Sequence, residues 1–289
     1  MKLFLYFCFT VLSITAVLFY KSYSALHREL NIHATEISTS SPLFLKAKTK
    51  YLLNSDQQKI AYYSFPVANP KAVVILAHGY SNPGGKNQML DHVDYLNRAK
   101  YSVYLLDFRS FAESEGQKIY LGVKEWQDLE TIYDYVYSLP ENRNKRIGYL
   151  GFSMGAVSAI NSVAKTGKGD FIIASTPYAS VDSMYRFRLA QNKFPPFLFT
   201  KLAIIAELGT ASQVISPENL ISKIDIPITI FSAQNDTHVD SHDAQKLYDL
   251  LTANIVKDFW QANDSDHDIY ASHPDDFQQH VLSFLAKIH

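Results

Sequence analysis

Gly151-Phe152-Ser153-Met154-Gly155 stands between two stretches of different periodicity. The residues before it, Arg146-Ile147-Gly148-Tyr149-Leu150, read as a short apolar strand; Ala156 to Ala164 read as a helix of small residues. A chain that turns from strand to helix within so few bonds strains the residue at the apex. The two glycines let strand and helix approach where a side chain would clash. The serine hydroxyl is then exposed at a helix N-terminus, where free N–H groups and partial positive charge favour an oxyanion. Two glycines and a serine also fall into this spacing by composition in on the order of a few per cent of chains this long. The position between strand and helix is therefore what carries the reading.

Outward from that turn the chain alternates strands and helices. Ala72-Val73-Val74-Ile75-Leu76-Ala77 is an uninterrupted apolar strand, the pattern of one covered on both faces. Ser102–Leu106 is the next, and two strands near 50–54 and 58–65 are joined by the hairpin signal Ser55-Asp56-Gln57. Helical periodicity runs from Lys86 to Ala99 and again through Trp126, Leu129, Tyr133, Val136 and Tyr137 to Pro140. Later strands are read at Phe171–Ala174, Ile228–Phe231 and Ile255–Trp260. Helices are read at about Ser241–Thr252 and from Pro274, where Asp275 and Asp276 suit a first turn. The alternation predicts an α/β fold with a mostly parallel sheet and helices on both faces.

The chain has 289 residues, 27 basic against 28 acidic, for a net charge of −1, so neither nucleic acid nor a strongly acidic partner is expected. Its one cysteine, Cys8, lies inside an apolar run and is read as a small hydrophobe; no intramolecular disulfide is possible. Leu3 to Tyr20 carries no charge and is bracketed by Lys2 and Lys21. As a helix it would reach roughly 27 Å, marginally enough to cross a bilayer core. Residues 1–21 are thus expected to be a transmembrane signal anchor, with a cleaved signal peptide as the alternative. Residues 22–49 are read as a polar linker and 50–289 as the folded domain.

In such a sheet, functional groups gather at the carboxyl ends of strands. Three loops qualify besides the serine turn: His78-Gly79-Tyr80, the loop holding Asp236, and the loop holding His267. Asp236 competes with Asp240 and Asp243, which suit caps of the following helix, and His267 competes with His273, which stands just before Pro274. His78 is read as a structural group beneath its loop. Asp107 and Arg109 are read as a structural pair or as partners of loop backbone. Asp264, Asp266 and Asp268 have metal-ligand spacing without the rest of a calcium loop, and are read as solvated. No metal or cofactor is expected.

Taken together, these stretches resemble an α/β-hydrolase from about Tyr51 onward. The order Ser153, Asp236, His267 is that fold's order of nucleophile, acid and histidine. His78-Gly79 is similar to its oxyanion loop, Asp236-Thr237-His238-Val239 to its acid loop and Asp107-Phe108-Arg109-Ser110 to its Asp-x-Arg-Gly segment. His267-Asp268-Ile269-Tyr270 resembles the histidine loop of membrane-associated ABHD-type and Bem46-like hydrolases. The resemblance implies a serine hydrolase with Ser153, His267 and Asp236 as nucleophile, base and acid, and backbone N–H groups of Tyr80 and Met154 as the oxyanion hole. Residues 180–217, with Phe194-Pro195-Pro196-Phe197-Leu198-Phe199, would be an apolar lid. The expected activity is cleavage of an acyl ester, small or lipid, by an enzyme tethered in the membrane with its domain extracytoplasmic. A serine peptidase of the prolyl-aminopeptidase type and a catalytically silent binding protein of the same fold are the alternatives.

Overall fold

The computed structural model describes residues 2–191 and 198–288. Eight strands form one sheet: β1 (Lys50–Leu53), β2 (Lys59–Phe65), β3 (Ala72–Ala77), β4 (Tyr101–Leu106), β5 (Arg146–Phe152), β6 (Ile172–Ser175), β7 (Ile228–Ala233) and β8 (Lys257–Ala262). Their spatial order is β1-β2-β4-β3-β5-β6-β7-β8. β1 and β2 join antiparallel and the remaining strands run parallel from β4 to β8. β3 and β4 are buried at every position, as an apolar run between two helical layers must be. Because β3 and β5 pair in register from Ala72↔Arg146 to Ala77↔Gly151, the loops after Ala77 and Phe152 emerge side by side. The predicted α/β class stands, as does the mostly parallel sheet.

Among the described residues, nine α-helices accompany the sheet besides an N-terminal one. They are α1 (Lys2–Leu30), α2 (Asp91–Arg98), α3 (Trp126–Ser138), α4 (Met154–Thr166), α5 (Val181–Gln191), α6 (Leu198–Leu208), α7 (Pro217–Leu220), α8 (Ser241–Leu250), α9 (Ile269–Ser272) and α10 (Pro274–Lys287). The helix read over Lys86–Ala99 is in two pieces, a 3-10 turn at Lys86–Met89 and then α2. α5 and α6 lie in the stretch read as a lid; Phe194 to Phe197 lie outside the described residues.

The linker expected at 22–49 differs most from the structure. α1 continues unbroken to Leu30, where Leu26 and Leu30 are 2% and 0% exposed, and Ala34 is also buried. Beyond the helix, Ala34 bridges to Phe111 and Glu36 to Gly84 in parallel β-bridges. The polar appearance of this stretch misled because its ionic groups are paired with the domain. Glu207 of α6 meets His27 at 3.0 Å and Lys118 at 2.7 Å, and also accepts from Asn31. Asparagine, histidine and glutamate here mark a packed helix end rather than a spacer. The outer end of the same helix is bare, with Phe4, Phe9 and Leu12 each at least 67% exposed. From Phe4 to Leu30 the helix is long and apolar enough, at mean hydropathy 1.7, to cross a membrane.

Candidate active site

Ser153 links β5 to α4 with φ 52° and ψ −114°, a strained conformation for a residue with a side chain. The glycines around it are required by contact. A Cβ on Gly155 would stand 2.0 Å from the carbonyl oxygen of Ala77, and one on Gly151 2.5 Å from the backbone of Gly155 and Ala156. The Ser153 N–H donates to the carbonyl of Ser175 at 2.8 Å, which fixes the turn to β6. Met154 is the first residue of α4, so its N–H belongs to the unsatisfied donors at a helix start.

The loop after β3 lies against this turn: a Cβ on Gly79 would be 2.7 Å from the Phe152 ring and 3.3 Å from Ser153 Cβ. Gly79 N–H donates to Gln88 Oε1 at 2.8 Å. His78 is fully buried; its Nδ1 donates to the Gly79 carbonyl at 2.7 Å and its Nε2 accepts from Phe108 N–H at 3.0 Å. Those two partners specify the neutral Nδ1–H tautomer. Burial pushes its pKa down to about 4, which agrees. The expected structural role for His78 holds, and its ring tilts against Phe108 and Phe111.

Asp236 follows β7 and is nearly buried. One oxygen, Oδ1, accepts the N–H groups of His238 and Val239, both at 2.8 Å; the other, Oδ2, meets His267 Nδ1 at 2.7 Å. With Nδ1 thus engaged, His267 keeps Nε2 for another partner. Its ring is 5.0 Å from that of Phe152, the residue before Ser153, and is stacked 5.0 Å from His238. Among the described residues Ser153 Oγ has no hydrogen-bond partner. Such contacts are often long in unliganded sites and tighten on the substrate.

The competing residues fall elsewhere. Asp240 caps α8 through His242 N–H, but Asp243 does not cap it; its carboxylate accepts from Ala179 N–H at 2.9 Å and Ser183 Oγ at 2.6 Å. His273 occupies the start of α10 without a side-chain cap bond. Asp268 caps α9. Asp107 and Arg109 do not pair with each other: Asp107 meets the buried Lys86 ammonium at 2.6 Å, and Arg109 meets Asp128 at 2.8 Å and Asp56 at 2.7 Å. Asp107 also accepts the backbone N–H groups of Lys86 at 2.6 Å and Glu113 at 3.3 Å, the other role expected of it.

Asp266, expected to be solvated, instead accepts through Oδ1 the N–H groups of Thr237 at 2.9 Å and of His267 at 2.7 Å. It ties the acid loop to the histidine loop. Asp236, His238 and Asp266 bring possible ligand atoms within 4.8 Å of one another. The hydrogen bonds to both carboxylates account for that cluster without an ion. Three further side chains reach the site from the lid and from α1. Tyr80 OH donates to the Glu29 carbonyl at 3.2 Å, and Tyr185 OH to Glu29 Oε2 at 2.5 Å. Arg188 donates from one guanidinium nitrogen to Glu29 Oε1 at 3.2 Å and from Nε to the His238 carbonyl at 3.1 Å. No local signal in the sequence marks Glu29; its neighbours come together only through packing.

A parallel sheet in this order, with a serine turn after β5 and acid and histidine loops after β7 and β8, defines an α/β-hydrolase. The family model described as serine aminopeptidase, S33, matches residues 68–221, more than half the chain, and the chain belongs to that family. Protein YqkD of Bacillus subtilis (strain 168) is 25% identical over 234 residues, covering 78% of this chain and 74% of YqkD. The Pyrococcus furiosus esterase Pf2001 superposes with a TM-score of 0.71 at 23% identity, over 89% of this chain and 97% of the esterase. Acetyl xylan esterase 1 from Thermoanaerobacterium sp. JW/SL YS485 does so with a TM-score of 0.65 at 17% identity, over 94% and 93%. At such identities the two structures share the fold.

Proposed function

We propose that the protein is a membrane-tethered serine hydrolase that cleaves acyl esters. The observation that carries this reading is the Asp236–His267 hydrogen bond at 2.7 Å beside the strained Ser153 turn and the Gly79-Tyr80 loop. A serine hydroxyl is a weak nucleophile near neutral pH. In the proposed reaction His267 Nε2 takes the Ser153 proton as Oγ attacks the ester carbonyl carbon. The negative oxygen so formed is held by the N–H groups of Met154 and Tyr80. Collapse breaks the bond to the alcohol, which leaves with the proton from His267. Water, deprotonated by His267, then attacks the acyl-enzyme carbonyl; the bond to Oγ breaks, the acid leaves, and His267 returns the proton to Ser153 Oγ. Asp236 keeps the imidazole oriented and stabilises its charged form. The esterase names of structural neighbours support an ester as the substrate.

The test is labelling with a fluorophosphonate. Wild type is expected to label, and Ser153→Ala to lose labelling and about 10⁴- to 10⁶-fold in kcat on p-nitrophenyl acetate while keeping its melting temperature. Undiminished labelling of the folded variant overturns the reading. The matched family's description makes an aminopeptidase the second reading, and an aminoacyl p-nitroanilide assayed beside the ester decides between them. The ester is favoured because Glu29, the carboxylate that reaches these loops from α1, is already engaged by Arg188 and Tyr185 rather than open to a substrate ammonium. The tether is supported by the exposed apolar surface of Phe4, Phe9 and Leu12. It predicts that the protein stays in the membrane fraction through a carbonate wash; release by carbonate refutes it.

A further inference from the structure

Glu29, in the last turn of α1, grips α5 with both carboxylate oxygens: Oε2 accepts from Tyr185 OH at 2.5 Å and Oε1 from Arg188 at 3.2 Å. Those two partners stand three residues apart, so they share a face of α5. The Glu29–Arg188 pair is only partly exposed, which limits its screening by salt and water. From Arg188 the bonding continues into the site. Its Nε donates to the His238 carbonyl at 3.1 Å. That carbonyl and the Val239 N–H belong to one planar peptide unit, and the N–H donates to Asp236 Oδ1 at 2.8 Å. Asp236 Oδ2 in turn meets His267 Nδ1 at 2.7 Å. An unbroken line of hydrogen bonds thus runs from α1 to the histidine. A guanidinium on the carbonyl side of a peptide also polarises it, which strengthens the bond its N–H gives to Asp236.

The same turn of α1 meets the other loop of the site, since the Glu29 backbone carbonyl accepts from Tyr80 OH at 3.2 Å. Seating α1 on the domain does not require this arrangement. Leu26 and Leu30 are buried, and Glu207 of α6 already clasps His27 and Asn31 without meeting the acid loop. We propose that Glu29 is a positioning residue for the ester hydrolysis, holding Asp236 and, through it, His267 by way of Arg188. The inference rests on the serine-hydrolase reading and makes the inner turn of α1 part of the site's machinery. Glu29 acts on the placement of the base and not on substrate binding, so its loss falls on kcat.

The experiment measures kcat and KM for p-nitrophenyl acetate with the full chain in phosphatidylcholine nanodiscs. Glu29→Ala is expected to lose roughly 10- to 100-fold in kcat with KM within about threefold, the cost of a misplaced catalytic group. In Glu29→Gln the amide oxygen can accept from Arg188 while Tyr185 OH turns to accept from the amide nitrogen, so kcat is expected within about fivefold of wild type. Glu207→Gln, which touches the seat of α1 but not the acid loop, is expected to keep kcat within about twofold. Should Glu29→Ala fail to fold, Arg188→Lys replaces it. A single ammonium keeps the charge without the fork that spans Glu29 and the His238 carbonyl, and the same loss in kcat is expected. Wild-type kcat in a folded Glu29→Ala or Arg188→Lys protein overturns the inference. So does a loss confined to KM, a Glu29→Gln protein that recovers nothing, or an equal loss in Glu207→Gln. Acetate hydrolysis that survives Ser153→Ala overturns the serine reading instead; its loss there, with wild-type kcat in Glu29→Ala, overturns the positioning role alone.

Discussion

The outer and inner ends of α1 belong to one unbroken helix and meet opposite surroundings. Phe4, Leu5 and Phe9 are 60–71% exposed, whereas Leu26 and Leu30 are within the core that also holds Tyr178 and Met184. An exposed phenylalanine costs little singly, but a row of them on successive turns is surface that water does not tolerate and the fold does not cover. The inner end shows what the domain does cover. There the helix brings its own polar partners, Glu29 to Tyr185 and Arg188, and His27 and Asn31 to Glu207. Apolarity alone therefore does not separate an anchor from a core helix; the partners of its polar residues do.

Deletions test that contrast most strongly. A chain starting at Ser41 loses Leu26, Leu30 and Glu29, together with the Ile119 N–H bond to the Leu30 carbonyl. Two buried leucines are worth about 2–5 kcal/mol each against a total stability of about 5–15 kcal/mol, so this chain is expected to be unfolded and inactive. A chain starting at Lys21 is expected to stay folded and to hydrolyse p-nitrophenyl acetate. Circular dichroism and the ester assay on both chains check this; an active chain from Ser41 would break the contrast. A point substitution gives a smaller version. Leu30→Ala should cost about 2–5 kcal/mol in urea unfolding, and Leu12→Ala within about 0.5 kcal/mol.

A third prediction concerns acid. Burial raises the Glu207 pKa, but hydrogen bonds from Lys118, Asn31 and His27 outweigh it and hold the carboxyl down at about 2. A carboxyl whose folded pKa lies below its unfolded one stabilises the fold above the unfolded value, and that contribution is lost as pH falls through the folded value. The clasp between α1 and α6 should therefore weaken between about pH 4.5 and 2. Glu207→Gln should flatten melting temperature against pH in that window. No change from wild type would show that the clasp contributes nothing.

A further prediction concerns the buried histidines. Burial lowers the pKa of His78 to about 4 and that of His92 to about 3, from the ordinary 6.5. The unfolded chain binds protons that these rings refuse, so stability falls as pH drops from about 6.5 towards 4 and is constant above 6.5. Each is expected to lower the melting temperature as pH falls, on both the full chain and the chain starting at Lys21. A slope present in only one of them would place its cause in the outer end of α1.

The parallel sheet was legible because buried strands such as Ala72–Ala77 leave a continuous apolar run, and the Ser153 turn because glycines at 151 and 155 answer a contact that no side chain survives. Asp236 and His267 were legible as loop residues after strands, although separating Asp236 from Asp243 needed the fold. Asp243 turned out to hold Ala179 N–H across the sequence, which no local pattern reveals. Asp107 and Arg109 were legible as structural groups, paired or bonded to loop backbone; Asp107 does accept backbone N–H groups, but the ionic partners were not legible. In the structure they serve Lys86 and Asp128, 21 and 19 positions away.

Local regularities are written residue by residue, so periodicity, turn glycines and an uncharged N-terminal run were decided by the sequence alone. Where α1 stops being bare and starts being buried was decided only by the tertiary structure. The windows around Leu26 and Leu30 differ from those around Leu5 and Leu12 by His27, Arg28, Glu29 and Asn31, and that polarity points to exposure, the opposite of what the fold does. What buries Leu26 and Leu30 is that α6, more than 160 positions later, lies alongside the inner turns and supplies Ala203, Ile204 and the paired carboxylate of Glu207. Burial is a property of what packs against a residue, and its partners are distant in the chain.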